Sequence, residues 1–374
     1  MRKNSVISAL ISALLLASIS SPAHANGAPS TVNCSVSGTF TITSGAVSAG
    51  NSCAGAAVVP AGVTSIGSGA FAGATALTST TFDGTSSLTS IGNAAFQGAT
   101  SLTSIIIPAS VTSIGLYAFD GTTALTSVAF DGTSSLTSIG PGAFYGAIAL
   151  ATITIPASVT SIGLYAFYNA RALTSITIPA SVTSIGISAF DGTTALTSVA
   201  FDGTSSLTSI GNAAFFGARA LTSITIPASV TSIGNAAFED ARALTSITIP
   251  ASVTSIGNAA FRDATSLVSV YFLGNAPATI GTTPFLNTAA GAKVLIKSGA
   301  TGFTTSGTPA LWNGLAVEVV ADSPAPAPVP TPVPTPKLAT TGPSEQIALG
   351  AIASSSIFML LTGAMLLIRR RELS

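Results

Sequence analysis

The sequence predicts a mainly β solenoid of about ten coils, each 23–25 residues long, with a cap at either end. Three observations lead to this fold class: phenylalanine returns at a nearly constant interval, alternating apolar residues rich in β-branched side chains fill the space between, and glycine, proline and small residues separate the apolar runs. The phenylalanines stand at positions 71, 96, 119, 144, 167, 190, 215, 238, 261 and 285, at intervals of 25, 23, 25, 23, 23, 25, 23, 23 and 24 residues.

Each coil contains one clear strand signal. In the coil that begins at Leu173, the spacing Leu-x-x-Ile-x-Ile places Ile176 and Ile178 on the same face of a strand, because successive side chains alternate. Pro179 follows and ends the ladder, because proline has no N–H to donate. Small residues surround Phe190, which favours a tight turn there.

Three coils are longer by two residues, and the reason is local. Their proline corner is replaced by an Asp-Gly pair, which forms a turn with positive φ at the glycine. The pairs are Asp83-Gly84, Asp131-Gly132 and Asp202-Gly203.

The first 25 residues have the pattern of a secretory signal. A charged start is followed by an apolar run over residues 6–19 and by Ala23-His24-Ala25, a small-x-small cleavage site. A transmembrane anchor is the alternative, but the apolar run is short for a bilayer core. His24 is the only histidine of the chain, so cleavage removes imidazole as a general base or metal ligand.

The C-terminal region contains three consecutive segments. Residues 323–337 form a proline-rich spacer, which we expect to be extended over about 40 Å. Residues 347–368 are apolar and long enough to span a bilayer, and three arginines follow them. The arginines should remain cytoplasmic, which leaves the bulk of the chain outside the cell.

Residues 338–374 resemble the cell-wall sorting signal of Gram-positive surface proteins, in which a pentapeptide, an apolar span and a basic tail follow one another. The resemblance implies that a sortase cleaves between Thr341 and Gly342 and joins the chain covalently to peptidoglycan. Ala339 stands where the commonest motif has proline, as in the variant typical of high-GC actinobacteria. The recognition and cleavage residues would be Leu338, Ala339, Thr340, Thr341 and Gly342. An ordinary C-terminal membrane anchor is the alternative.

The repeat itself, LxxIxI followed by xxVxxIGxxAFxxAxxL, resembles the BspA-like leucine-rich repeats of bacterial surface proteins. The resemblance covers about residues 58–285 and implies a right-handed solenoid of parallel strands. Family members often carry cysteine three residues after the phenylalanine, where this chain has alanine or threonine. We therefore divide the chain into residues 1–25 (signal), 26–57 (N-terminal cap), 58–286 (repeats), 287–322 (C-terminal cap), 323–337 (spacer) and 338–374 (sorting signal).

Both caps contain a distinctive residue type. Cys34 and Cys53 are the only cysteines, and in an exported chain we expect them to form a disulfide; two free thiols are the alternative. Trp312 is the only tryptophan, and we expect it to cover the apolar face of the last coil; ligand stacking is the alternative.

Composition argues against several function classes. Only 6% of residues are charged and the net charge is zero, whereas an electrostatic nucleic-acid binder needs a basic surface. Most aspartates recur at equivalent repeat positions, so the periodicity accounts for them without a catalytic pair. We expect no enzyme activity, no metal and no cofactor.

The candidate binding surface is the residue position that follows each repeat phenylalanine. Aromatic residues occur there in some coils and arginines lie close by, and these residue types commonly anchor interfaces. The candidates are Tyr145, Tyr168, Phe216, Arg171, Arg219 and Arg242. Scattered surface residues on a neutral spacer are the alternative.

The sequence therefore predicts an exported protein attached to the wall of a Gram-positive cell. By family resemblance it would adhere to a surface protein or a glycan of a host or of other bacteria, with sortase and peptidoglycan as processing partners. A stalk that binds nothing is the second hypothesis, and a wall-active enzyme is a third for which we find no catalytic set.

Overall fold

The computed structural model describes residues 29–84, 86–304 and 311–320, and these contain strands and turns but no α-helix. The strands are β1 (Ser30–Asn33), β2 (Thr39–Thr43), β3 (Ala46–Ala49), β4 (Gly55–Val59), β5 (Ser65–Ile66), β6 (Leu77–Phe82), β7 (Ser90–Ile91), β8 (Ser104–Ile107), β9 (Ser113–Ile114), β10 (Ser127–Phe130), β11 (Ser138–Ile139), β12 (Thr152–Ile153), β13 (Ser161–Ile162), β14 (Ser175–Ile178), β15 (Ser184–Ile185), β16 (Ser198–Phe201), β17 (Ser209–Ile210), β18 (Ser223–Ile224), β19 (Ser232–Ile233), β20 (Ser246–Ile249), β21 (Ser255–Ile256), β22 (Ser269–Phe272), β23 (Thr279–Ile280), β24 (Lys293–Lys297), β25 (Leu311–Trp312) and β26 (Leu315–Val320).

The segments on which export and anchoring depend lie outside the described residues. These are the predicted signal, spacer and sorting signal with its apolar span at 347–368. Within the described ranges, no helix meets the length and hydropathy needed to cross a bilayer.

The first ladder of the solenoid is built from the Ser-Ile pair of each repeat. In the described residues it is a thirteen-stranded sheet with the order β1-β2-β3-β5-β7-β9-β11-β13-β15-β17-β19-β21-β23. From β3 to β23 the neighbours are parallel, and Ser138 pairs with Ser161 as Ile139 pairs with Ile162. The isoleucine of each repeat pair up to β21 is buried, because side chains alternate between the inside and the outside.

The second ladder is built from the LxxIxI strands. Its sheets have the orders β12-β10-β8-β6-β4, β14-β16-β18 and β20-β22-β24-β26-β25. Apart from the antiparallel β25–β26 pair, the neighbours in these sheets are parallel. The parallel solenoid predicted from the sequence is therefore confirmed.

The number of turns differs from the prediction. Twelve parallel strands, β4 to β26 by even numbers, stack in the second ladder of the described residues, so the solenoid has about twelve turns instead of about ten. The added turns lie in segments that the sequence assigned to caps. In β24, Val294 and Ile296 are buried like the isoleucines of the repeats, and this alternation continues the stacking past the last phenylalanine coil.

The third side of each coil is a turn that contains the repeat phenylalanine. Backbone hydrogen bonds still join the coils there: the Phe96 N–H donates to the Ala118 carbonyl at 2.7 Å, and the Gly98 N–H donates to the Asp120 carbonyl at 2.7 Å. The residue two positions before each phenylalanine has positive φ, for example 52° at Ala213. This left-handed residue reverses the chain so that the next aromatic ring points inward.

The core is a column of stacked phenylalanines. From Phe71 to Phe261 the rings are fully buried, and successive centroids lie 5.0–5.3 Å apart with interplanar angles of 2–10°. The small residue three positions later is also fully buried. At Thr122 and Thr193 the hydroxyl is satisfied, because each donates to the carbonyl of the phenylalanine three residues before it.

Both ends of the phenylalanine column are covered. Cys34 and Cys53 form a disulfide with a Cα–Cα distance of 5.5 Å, and nearby Phe40 packs edge-on against Phe71 with centroids 5.7 Å apart. At the other end Trp312 is buried, and its ring lies 6.3 Å from Phe285, the last ring of the column. These contacts keep the first and last apolar coils away from water.

Candidate binding surface

The residue directly after each repeat phenylalanine, which we term the post-Phe position, lies on the third side of the solenoid. Because the phenylalanine ring points into the core, its neighbour is directed outward. Coil stacking turns this position into a row along the solenoid, with neighbours separated by about 5 Å. Within residues 97–168 the row reads Gln97, Asp120, Tyr145 and Tyr168.

Four tyrosines meet on this side, and we call them the tyrosine cluster: Tyr117, Tyr145, Tyr165 and Tyr168. The rings of Tyr145 and Tyr168 stack with centroids 4.6 Å apart. Tyr117 packs edge-to-face on Tyr145 at 6.0 Å, and Tyr165 packs edge-to-face on Tyr168 at 5.8 Å. All four rings are half-buried, so each presents part of its surface to solvent.

Two of these tyrosines have an unusual backbone conformation. Tyr117 and Tyr165 occupy the left-handed position two residues before the phenylalanine, with φ of 54° and 56°, where most coils have alanine or glycine. A bulky residue in this region costs on the order of 1 kcal/mol. Gly142 occupies the same position in the coil between them, and a Cβ there would lie 2.3 Å from the Tyr117 ring. The glycine therefore makes the room that the Tyr117 ring occupies.

An open depression of about 520 Å³ runs along the cluster, and Gln97 and Asp120 line its polar end. The Gln97 side-chain amide donates to the Asp120 carboxylate at 2.8 Å. Partial burial raises the pKa of Tyr145, and Tyr168 and Asp120 raise it further.

An apolar stripe lies beside the cluster, three residues before each phenylalanine. It consists of Leu116, Pro141, Leu164 and Ile187. Leu116 and Leu164 are 42% exposed and Ile187 is 48% exposed. Single exposed apolar residues are common on soluble proteins, but a continuous apolar patch is typical of a contact surface. The row of aliphatic side chains beside the tyrosine rings forms such a patch.

The structure does not bring Phe216 into contact with the tyrosines. Asp191 occupies the post-Phe position between Tyr168 and Phe216, which separates the two aromatic residues by two coils, about 10 Å. Phe216 makes no aromatic contact among the described residues. Burial raises the pKa of Asp191 to about 6, while a hydrogen bond with Ser188 acts in the opposite direction.

The arginines are also arranged differently from the prediction. Arg219 and Arg242 both donate through Nε to the Asp240 carboxylate, at 2.8 and 2.5 Å. Burial by itself raises the pKa of Asp240, but the hydrogen bonds from Arg242 and Arg219 outweigh it, so this pKa lies below its usual range. These two arginines are thus occupied within the chain, whereas exposed Arg171 forms no ion pair with any described residue.

A second ion pair lies next to this one. Arg262 of one coil pairs with Glu239 of the coil before it, and Glu239 is buried. The same arginine also lies 3.7 Å from Asp263. We call these residues the charged cluster: Arg219, Glu239, Asp240, Arg242, Arg262 and Asp263.

The repeated threonines are largely occupied by structural hydrogen bonds. In the first ladder, the Thr112 hydroxyl donates to the Thr89 carbonyl and the Thr137 hydroxyl donates to the Thr112 carbonyl, and the series continues to Thr254. The repeat period alone does not predict these hydrogen bonds. Each of them requires a threonine rotamer that directs the hydroxyl toward the preceding coil. In the described residues, no three histidine, cysteine, aspartate or glutamate side chains are grouped as metal ligands would be.

Three known structures are similar to this chain. A leucine-rich cell surface protein of Faecalibacterium prausnitzii shares 26% identity, with 80% of this chain and 89% of that chain covered and a TM-score of 0.46. The pneumococcal vaccine antigen PcpA shares 21% identity, with 71% and 79% covered and a TM-score of 0.44. A leucine-rich repeat protein of Bacteroides ovatus shares 20% identity, with 79% and 99% covered and a TM-score of 0.31.

No curated protein matches the chain significantly. The model of the BspA-type leucine-rich repeat region, in contrast, matches six copies over residues 51–174 and 194–306, which is more than half of the chain. With its stacked coils and buried phenylalanine column, the chain belongs to the BspA-type leucine-rich repeat family.

Proposed function

We propose that this protein is displayed on the outside of a Gram-positive cell, where its solenoid acts as an adhesion module. Export is supported by the signal pattern over residues 1–25, and covalent attachment is supported by the sorting pattern over residues 338–374. The proline-rich spacer would hold the solenoid about 40 Å from its attachment point. Sortase and peptidoglycan are then the partners of processing.

The observation that carries the adhesion proposal is the convergence of four tyrosines on one open depression. Tyrosine presents a large, rigid, amphipathic surface at low entropic cost, which is why it is enriched at binding sites. The partly exposed rings and the adjacent apolar stripe favour binding of a partner, because a partner that covers them removes apolar area from water. The proposed contact surface is therefore smaller than the candidate surface predicted from the sequence, because it does not include Phe216, Arg219 and Arg242.

A stalk that binds nothing is the second candidate function. It is favoured by the near identity of several coils, since "RALTSITIPASVTSIG" occurs three times. It does not account for two tyrosines held at left-handed positions, where coils that need only a turn have alanine.

A binding screen of residues 26–322 against matrix proteins and glycans tests the adhesion proposal. The double variant Tyr145→Ala/Tyr168→Ala should reduce binding of any hit at least about tenfold, because interface tyrosines are often worth more than 1.4 kcal/mol each. Tyr271→Ala is the matched control, since Tyr271 lies in β22 and outside the cluster. Unchanged binding by the double variant would exclude the cluster as the contact surface.

Attachment is tested separately. Thr341→Ala should shift the protein from the wall fraction to the membrane fraction, because the proposed sortase recognises the Thr341 side chain before it cleaves the bond to Gly342. Thr331→Ala in the spacer is the matched control and should remain in the wall fraction. Wall linkage that persists in Thr341→Ala would contradict the sorting proposal.

A further inference from the structure

The depression at the tyrosine cluster contains one full charge, and that charge is negative. Its lining consists of the four tyrosines with Gln97 and Asp120, so none of the described lysines or arginines contributes to it. The Asp120 carboxylate accepts the neutral Gln97 amide at Oδ2 and forms no ion pair among the described residues. Within the described part of the chain, the charge of Asp120 therefore has no cation beside it.

The Asp120 carboxylate lies beside the tyrosine rings. Its Oδ1 atom is close to the next coil, because a Cβ built on Gly146 would lie 3.9 Å from it. Tyr145 directly precedes Gly146, and its pKa is raised by burial, by Tyr168 and also by Asp120, which requires the carboxylate to be near the Tyr145 hydroxyl. A group that contacts this carboxylate can therefore contact the tyrosine rings as well.

Other acids on this side of the solenoid show which group pairs with such a carboxylate. Glu239, at the post-Phe position, receives the Arg262 guanidinium from the post-Phe position of the next coil. Asp240, one residue later, receives two guanidinium groups. For Asp120 the next post-Phe residue is Tyr145, which carries no positive charge. Within the described residues, the chain thus supplies a guanidinium to Glu239 and to Asp240 but none to Asp120.

The tyrosine rings also favour a guanidinium. The face of an aromatic ring is negative, so it attracts a cation. A planar guanidinium can stack on such a ring while it donates two parallel hydrogen bonds to a carboxylate. The four rings of the cluster are only half-buried, so the depression offers both interactions to one incoming side chain.

The apolar stripe favours a peptide over a glycan as the carrier of this cation. Leu116 and Leu164 directly precede two tyrosines of the cluster, so the stripe adjoins the depression. An arginine in a peptide has neighbouring residues that can be apolar and can cover the stripe, which removes aliphatic area from water. A neutral glycan would leave both the Asp120 charge and this aliphatic row without a matching group.

We propose that the tyrosine cluster binds an arginine side chain in a peptide segment of a partner protein. The guanidinium occupies the depression, where it pairs with the Asp120 carboxylate and stacks on a tyrosine ring, and apolar residues next to the arginine cover the stripe. The inference rests on the proposed adhesive function of this surface and specifies the chemistry of its partner.

Peptide selection tests the proposal with the full-length chain, purified in mild detergent. A random peptide library displayed on phage is depleted on the double variant Tyr145→Ala/Tyr168→Ala and then selected on the wild type. The selected peptides should share an arginine that has apolar neighbours. The inference is wrong if no peptide discriminates the wild type from the double variant, or if the selected peptides share no arginine.

Removal of the charge from each side of the contact is the decisive step. One selected peptide is synthesised with arginine and with citrulline, which has nearly the same shape but no charge, and dissociation constants are measured by biolayer interferometry. Citrulline should weaken binding to the wild type at least about tenfold, and Asp120→Asn should weaken binding of the arginine peptide to a similar extent. The citrulline peptide should bind Asp120→Asn and the wild type about equally, because the ion pair is already absent.

Asp131→Asn is the matched control. It removes an exposed aspartate of an Asp-Gly corner that does not line the depression, so the net charge changes as in Asp120→Asn while binding of both peptides should stay constant. Equal melting temperatures establish that the variants are folded, and the citrulline comparison needs no variant of the protein. Equal affinity of the wild type for the two peptides, or full affinity of Asp120→Asn for the arginine peptide, would overturn the inference.

Failure of this inference is distinguishable from failure of the proposed function. A glycan or matrix protein whose binding is lost in Tyr145→Ala/Tyr168→Ala but retained in Asp120→Asn would mean that the cluster is adhesive and that its ligand is not an arginine. If the double variant retains binding of every ligand found for the wild type, the cluster is not the contact surface and both proposals are wrong.

Discussion

The middle coils, residues 116–187, and the later coils, residues 212–263, have the same backbone but different outer chemistry. Three residues before the phenylalanine, the later coils carry asparagines whose Oδ1 accepts a backbone N–H of the next coil, as Asn235 does from Asn258 at 2.7 Å. The middle coils carry Leu116, Pro141, Leu164 and Ile187 at this position. The later coils therefore form hydrogen bonds between coils at this position, whereas the middle coils present apolar side chains.

The charged residues differ in the same way. In the later coils the charged cluster pairs its own acids and bases, with Asp240 shared between two arginines. In the middle coils Asp120 and Arg171 remain unpaired within the described residues. This difference indicates that the buried positions of the repeat determine the fold. The outer positions can therefore either stabilise the stack of coils or contact a partner.

The largest expected difference between the two regions is in the stability lost when an aspartate is replaced by asparagine. Asp240→Asn should lower the free energy of unfolding by about 2 kcal/mol, because a buried carboxylate loses two charge-assisted hydrogen bonds. Asp120→Asn should change it by less than about 0.5 kcal/mol, because its carboxylate has only the Gln97 contact. Asparagine tolerates the positive φ of 62° at Asp240, so the pair of variants isolates the effect of charge.

The pH dependence of this first comparison has a definite sign. The pKa of Asp240 is lowered in the folded state, so its contribution is present above the unfolded pKa, near 4, and is lost as pH falls through the lower folded value. Urea unfolding of Asp240→Asn at pH 7 and below pH 3 should therefore show the difference from wild type shrinking in acid. Equal differences at both pH values would contradict the charge assignment.

Asp191, four residues after the end of the middle coils, should behave in the opposite way. Its folded pKa is about 6, above the unfolded value of 3.8, so stability falls as pH rises between these values. Asp191→Asn should then stabilise the protein at pH 7.5 by about 1 kcal/mol, after allowance for solvent screening, and should have no effect near pH 3.5. Thermal melting at the two pH values measures this, and destabilisation at pH 7.5 would contradict it.

The asparagine row can be tested by exchange. Asn235→Leu should cost about 1 kcal/mol, because the Asn258 N–H loses its acceptor. Leu164→Asn places an acceptor beside the next coil and should leave stability within about 0.5 kcal/mol of wild type while reducing adhesion. Chemical unfolding together with the binding screen separates the two effects. A gain in adhesion by Leu164→Asn would exclude the apolar stripe from the contact.

The last comparison uses Gly142→Ala. Alanine has a similar φ at the equivalent Ala94 and Ala213, so the coil should still form, but the left-handed conformation should lower the free energy of unfolding by about 1 kcal/mol. The new Cβ must nevertheless displace the Tyr117 ring. Adhesion should fall, whereas Gly69→Ala, at the same repeat position outside the cluster, should lower the melting temperature to a similar extent and leave adhesion unchanged. Unchanged adhesion would mean that the Tyr117 ring position is not required.

Much of the fold could be read from the sequence, because inner positions repeat. Period, apolar alternation and Asp-Gly pairs predict the coils and their corners, and Gly84, Gly132 and Gly203 have the expected positive φ of 58°, 50° and 49°. The number of turns was underestimated because β24 and β26 contribute ladder strands without the phenylalanine that marks a coil.

The candidate site could be predicted only in part. Tyr145 and Tyr168 recur at one repeat position in adjacent coils, so their contact follows from the period. Phe216 occupies the same position two coils later, and the sequence-based grouping did not account for the intervening Asp191. The capture of Arg219 and Arg242 by Asp240 depends on side-chain reach between coils, which sequence spacing does not specify.

By itself, the sequence determined that this chain forms stacked parallel coils, because burial of a periodic apolar set has one geometric solution when each coil can bury its face only against its neighbours. The tertiary structure was needed to distinguish outer residues that form contacts between coils from outer residues that can contact a partner. Stacking brings residues 23–25 positions apart within 5 Å, where ring orientation, the space above Gly142 and the pairing of each charge are settled by local packing.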